Sequence, residues 1–552
     1  MTALAPAPRL WLFGPRSDLL FGCGLLYALV FGLFLVAGAG LRSAQPAWLA
    51  ALLVLGIGTP HYGATLLRVY ERRRDRSGYV LFSLWATLVV AALFIGGLWI
   101  PAIGSFLVTL YLSWSPWHYT GQNYGIAVMF LRRGGVALDP RVKRWLYLSF
   151  LLSFALVFVG MHTADAGASD LPTGYVGEGV RFAPLGIPPA WSVWIALGLL
   201  AAYAVALARA AWGLRRGARL ALLPAALLTL SQVLWFSLPY GLHVFGAPPG
   251  LDVLDWQFRT HYFLWIAAAH SLQYLWVTAY YARQAGGWHG QLFNYLRVLA
   301  AGAAVWTLPL LVFGPQSFGP LSFDLGLATL VAAAVNVHHF ILDGAIWKLR
   351  GKIAEILIRS GSESADSERS ARPWLRRTVW AVCAAALLVN VFGVATDHVF
   401  VREMTTGRYA EAARSAEWLA WVGRDRVVAR RSFGEALLRD RHFGDARIQL
   451  ERGESLAPSS TSRILIGLSY EGQGEYREAA ESYESALGLE PPLAPEERAT
   501  TLRRAGGARL AAGEPEKALA LLEAALALAP EAADVRSLLE RARLAAARPP
   551  AS

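Results

Sequence analysis

The sequence predicts an all-α protein in two parts, a polytopic transmembrane helix bundle of about eleven spans followed by an α-solenoid of short repeats. Three observations carry this. Of 552 residues, 55% are hydrophobic and only 16% charged, with a mean hydropathy of +0.39, too apolar for a set of soluble domains. The apolar residues gather into runs long enough to cross a bilayer. From about Arg402 the composition turns to Ala, Glu, Arg and Leu, with Gly and Pro recurring at a fixed interval. The two parts are expected over residues 1–400 and 401–548.

The bilayer-length runs begin near Leu19, Ala47, Tyr79, Ile103, Trp145, Trp191, Leu220, Phe258, Leu296, Ser322 and Thr378. The first exceeds a signal-peptide core and has no small-residue cleavage site behind it, so it reads as a retained span. Arg9 and Arg16 put the N-terminus in the cytoplasm. Every second span then exits to the cytoplasm, where the basic loops fall: Arg68 to Arg76, Arg132 to Arg144, Arg209 to Arg219 and Lys348 to Arg377. The opposite loops carry little positive charge and include Asp165, Asp170, Glu178, Asp252 and Asp255. An odd count leaves the C-terminal part outside the cytoplasm.

This placement accounts for the net charge of +12 and argues against nucleic acid as a partner. Cys23 and Cys383 both lie in apolar runs, so neither a disulfide framework nor a thiolate metal site is indicated. The stretch from Ser360 to Ser370 reads as a polar linker in the last cytoplasmic loop.

In the C-terminal part, Gly434, Ala446 and Pro458 align with Gly467, Ala479 and Pro491, and again with Gly506, Ala518 and Pro530. A short insert around Pro492 to Glu497 delays the third unit, and Gly407-Arg408-Tyr409 through Leu419 reads as half of a degenerate further unit. Small residues let paired helices pack closely and Pro ends each second helix. The pattern resembles the tetratricopeptide repeat (TPR) family, best in the middle unit with Gly467, Tyr470, Ala479, Tyr483, Ala486 and Pro491. The resemblance covers about Thr405 to Ala547 and implies a surface for a protein or peptide partner.

Candidate chemistry lies in the histidines of the membrane part. His61, His118, His270, His338 and His339 fall at similar depths in spans that all run inward, so they are expected to meet in one layer as metal ligands. Polar groups inside lipid are costly and are kept for chemistry. Three of them have polar neighbours about one helical turn on: Gln122 after His118, Gln273 and Tyr274 after His270, and Asp343 after His339. These are expected to orient the rings, with Asp343 fixing the tautomer of His339. Pro60 and Gly63 around His61 are expected to open the helix and bring backbone near a ligand. His243, His261, His162, His289, His398 and His442 are read as ordinary surface or interfacial residues. Histidine with carboxylate or amide support suits iron, zinc, copper or haem. Non-haem iron acting with dioxygen on a hydrophobic substrate is preferred, with zinc hydrolysis and bis-histidine haem open. The multi-His boxes of desaturases and hydroxylases are missing.

Pro60-His61 followed by Gly63-Ala64, Trp117-His118 followed by Gly121 and Gln122, His270 in an aromatic span and the later His pair resemble the bacterial Brp/Blh-type beta-carotene dioxygenases. That resemblance implies a polytopic enzyme with histidine-ligated iron that cleaves a polyene. The chain departs from the family at Tyr62, which separates His61 from Gly63-Ala64, and in having no Asp until Asp75. Together these readings predict a bacterial inner-membrane metalloprotein, an iron oxygenase acting on a lipid or isoprenoid, with an extracytoplasmic TPR domain. Two rivals are a non-catalytic scaffold that recruits a partner through its repeats and a glycosyltransferase using polyprenyl-linked sugars. The latter needs an acidic residue in the first external loop, and Ala39 to Pro46 has none.

Overall fold

The computed structural model describes residues 10–33, 47–70, 80–164, 180–246, 256–284, 290–348, 351–359 and 373–547. The acidic residues expected in the external loops, the 360–370 linker and His289 lie outside them, as do the side chains of His243 and His261. The described residues are all-α, with one isolated bridge between Thr163 and Ile187 and no strand. They fall into two compact units, one of residues 1–310 and 328–394, the other of residues 311–327 and 395–552.

Eight helices among the described residues are long and apolar enough to cross a membrane, five of them wholly in the first unit. They are nine if Pro15–Gly22 and Leu25–Leu33, bent by 59° at Cys23-Gly24, make one span. The runs expected from Ile103 and Phe258 form helices at Pro101–Arg133 and Trp256–Gln284 that are fully long enough but more polar than these eight. They are the helices that carry His118 and His270.

Prolines set several helix starts. Pro101, Pro140 and Pro189 each stand in the first turn, where the missing N–H costs nothing, and Asp139 accepts from the Arg141 N–H at 2.7 Å. Pro60 is harder to place, because it leaves the carbonyl of Gly56 without its helical donor. The helix takes a π turn at Val54–Gly58, and the Tyr295 hydroxyl donates to the Gly56 carbonyl at 2.7 Å. Three residues past Pro60, a β-carbon on Gly63 would stand 1.8 Å from the Val298 carbonyl oxygen, and one on Gly302 would stand 1.9 Å from that of Thr59. The opening expected at His61 therefore lies before it, and the close backbone approach is to the helix Gln291–Phe313.

In the second unit, consecutive helices pack in pairs: Val427–Arg439 on Phe443–Leu456, Ser460–Gln473 on Tyr476–Leu487, and Pro495–Ala511 on Pro515–Leu528. The repeat seen in the sequence returns in the contacts. A β-carbon on Gly434 would lie 2.5 Å from Leu450, on Gly467 2.5 Å from Tyr483 and on Gly506 2.6 Å from Leu522, the same offset each time. Ala446, Ala479 and Ala518 are fully buried between the paired helices.

The turns repeat as well. Gly407, Arg441, Gly474 and Gly513 all have left-handed φ, between 63° and 79°, two residues before a helix that begins at Tyr409, Phe443, Tyr476 or Pro515. This gives the degenerate unit at Gly407 the same turn as its successors. Within this unit Asp324 accepts from the N–H groups of Val427 and Val428 at 3.1 and 2.9 Å, holding residues 311–327 to the start of the first pair.

Candidate metal centre

Four of the five predicted histidines converge. His61, His118, His270 and His339 come from four helices, and each offers a ring nitrogen within 4.8 Å of those of the other three. Their rings form a closed circuit of edge contacts, with centroids 4.9 Å apart for His61 and His270, 4.9 Å for His270 and His118, 5.0 Å for His118 and His339, and 4.3 Å for His339 and His61. His61, His270 and His339 are at most 3% exposed and the His118 side chain 10%. Glycine packing explains the tightness on one side, since Gly63 lets the helix bearing His61 press against its neighbour.

The nitrogens that face one another have no protein partner. Nε2 of His61, His118 and His339 and both ring nitrogens of His270 are buried without a hydrogen bond. Buried polar atoms are almost always satisfied, so four imidazoles that each bring one ring nitrogen within 4.8 Å of the others, with most of these nitrogens unpaired, could hold a metal ion. The outer nitrogens of two rings are occupied. His61 Nδ1 lies 3.0 Å from Ser271 Oγ, and His339 Nδ1 lies 2.9 Å from Thr65 Oγ1.

At His339 the proton accounting closes. Thr65 donates to Asp343 Oδ1 at 3.0 Å and Tyr274 donates to the same oxygen at 2.7 Å, while the Trp347 indole donates to Tyr274 at 3.0 Å. The Thr65 hydroxyl also lies 2.6 Å from that of Tyr274, and with its one hydrogen given to Tyr274 or Asp343 its oxygen accepts from His339 Nδ1–H. That fixes the tautomer and leaves the Nε2 lone pair facing the cluster.

His338 stands apart from the other four. Adjacent helical residues point about 100° away from each other, and Nε2 of His338 lies 2.8 Å from Thr87 Oγ1 and 3.3 Å from the Tyr70 hydroxyl. Asp343 also differs from expectation. It does not hold the outer nitrogen of His339, a role Thr65 takes, and its Oδ2 instead lies 3.4 Å from His339 Nε2 and 3.8 Å from His118 Nε2. The Gln122 amide donates to the His270 carbonyl and to Gln273 Oε1, both at 3.0 Å, so these two residues tie helices together.

His162, expected at a surface, is 2% exposed, placed between Ser113 Oγ at 2.9 Å and the Leu185 N–H at 3.1 Å. Burial pulls its imidazole below the ordinary range. His398 and His442 are exposed as expected.

Sequence reasoning missed Thr65 and Ser271, and it paired Tyr274 with His270, whereas its hydroxyl donates to Asp343. The signal for Thr65 was present, since it follows His61 by one turn, the spacing that singled out Gln122 and Asp343. Ser271 and Tyr274 flank Gln273 on the His270 helix but act on His61 and Asp343, which no local pattern reveals.

Aromatic rings wall the cluster. Tyr62, Tyr119 and Phe340 lie with centroids 5.3 Å from His339, 4.2 Å from His270 and 4.4 Å from His118, and Trp306 backs Tyr62 at 5.5 Å. No protein-family model matches the chain, and no curated protein matches it.

Proposed function

We propose that this chain is a metalloenzyme of the bacterial inner membrane that holds one iron ion between His61, His118, His270 and His339 and oxidises a lipid or isoprenoid. The observation that carries the reading is the set of buried, unpartnered nitrogens aimed at one point from four helices. Four imidazoles without a thiolate suit iron, zinc or copper. Their setting among spanning helices, with aromatic walls, favours an apolar substrate, and of these metals we take iron, which brings dioxygen chemistry to such a place. Ser271 and Thr65 hold the outer sides of two rings, so the inner lone pairs are presented without reorganisation.

We read Pro101–Arg133 and Trp256–Gln284 as further spans, made more polar by the site they carry, which brings the count to about eleven. The C-terminal unit we read as a TPR solenoid outside the cytoplasm that docks a protein or peptide partner. Its repeated glycine contacts and left-handed turns support the family, and the charge alternation supports the side.

Metal analysis of protein purified without an affinity tag tests the reading. About one iron per chain is expected, lost on replacing any of the four histidines by Ala and kept in His338→Ala and His442→Ala. A wild-type protein with no stoichiometric metal, whose histidine variants lose only thermal stability, would mean that the cluster serves packing.

A further inference from the structure

Building on the metal reading, the geometry points to Asp343 as a fifth ligand, whose Oδ2 joins the four imidazoles on the metal. His339 and Asp343 stand one turn apart on the helix Ala328–Ile346, so both project from the same face. The hydrogen bonds from Thr65 and Tyr274 both end on Oδ1, which fixes the carboxylate plane and turns Oδ2 toward the cluster.

From Oδ2 the unpartnered nitrogens of His339 and His118 are 3.4 and 3.8 Å away. Donors bound at about 2.1 Å to one metal at right angles lie about 3 Å apart, close to the spacing of Oδ2 from these two nitrogens; Asp343 stands outside the set of donors within 4.8 Å of one another, so the carboxylate moves inward to share the ion. Charge argues the same way. Four neutral imidazoles leave a divalent cation uncompensated in a buried place, and an adjoining carboxylate cancels half of that charge.

A mixed imidazole and carboxylate set also narrows the metal. It takes Fe(II) or Mn(II) more readily than copper(I), which prefers soft sulfur donors, and five protein donors exceed the four of a structural zinc site. Thr65 and Tyr274 are then positioning residues that hold the carboxylate.

Cobalt(II) loading of the full-length protein in detergent tests this, because its visible absorption reports the number and kind of ligands. Wild type is expected to take up one Co(II). Asp343→Asn should weaken that uptake about 10-fold or more and shift the absorption bands, and Asp343→Glu should recover part of both. An infrared difference spectrum of wild type with and without Co(II) should show the carboxylate stretch moving, a readout that does not depend on any variant folding. Unchanged affinity and bands in Asp343→Asn, or no carboxylate change in wild type, would overturn the ligand assignment and leave the four-histidine centre standing. Failure of wild type to bind Co(II) or contain any metal would overturn both.

Discussion

Thr65 and His339, 274 residues apart in the chain, share a 2.9 Å contact between Oγ1 and Nδ1 that decides which nitrogen of the histidine is free. Thr65→Val keeps the shape of the side chain but removes both the acceptor for His339 and the donor to Asp343. Metal affinity, measured by competition with a chelator, should fall about 10- to 100-fold. Thr65→Ser keeps the hydroxyl and should stay near wild type. Equal affinity in the Val variant would show that the ring is held by packing alone.

The crossing of Gly63 and Gly302 sets the spacing of the His61 helix. Gly63→Ala would drive a methyl group into the Val298 carbonyl at 1.8 Å, so the helices must separate. The cost is expected to reach or exceed about 1–3 kcal/mol, the range for overpacking. Thermal unfolding in detergent should show it, together with loss of bound metal. Gly344 is the control: a β-carbon there meets nothing within 4 Å, so Gly344→Ala should be neutral or stabilising by about 0.5–1 kcal/mol.

Arg441 holds a left-handed φ of 63° where the equivalent turns use Gly407, Gly474 and Gly513. A side chain in that conformation costs about 1–2 kcal/mol, part of which glycine gives back as lost chain entropy. Arg441→Gly should therefore raise the denaturation midpoint of the C-terminal unit, monitored in the full chain, while metal content stays the same. A lower midpoint would mean that the arginine makes contacts worth more than the strain.

A reporter fused after Ala547 should be active only outside the cytoplasm, and one inserted at Ser362 only inside. The reverse pair would remove the odd span count and the shared inward direction of the helices that bear the cluster.

Depth was legible in the sequence and direction was not. Counting spans and following their charges brought His61, His118, His270 and His339 to one level although they lie on different runs. The same count could not separate His338 from His339, which share a depth and differ only in azimuth. Azimuth depends on which neighbours pack where, and the glycine crossing at Gly63 and Gly302 sets that for His61 through residues that carry no chemistry. Asp343 was found by its spacing, but the partner of His339 Nδ1 is Thr65, which comes from another helix and whose pairing with His339 no local pattern marks. The repeats were legible nearly in full, since glycine, alanine and proline there answer to local helix packing.

The four imidazoles come from helices strung along the chain in the order of their synthesis, and His339 and Asp343 arrive last. A ribosome that has not reached residue 339 has made only three of the four clustered histidines and has not yet made Asp343. Any ion captured then would meet an unfinished set of donors, with the choice among metals still open. On the proposed metal reading, selection of the metal would belong to the interval after that helix is made, while the repeats are still being translated.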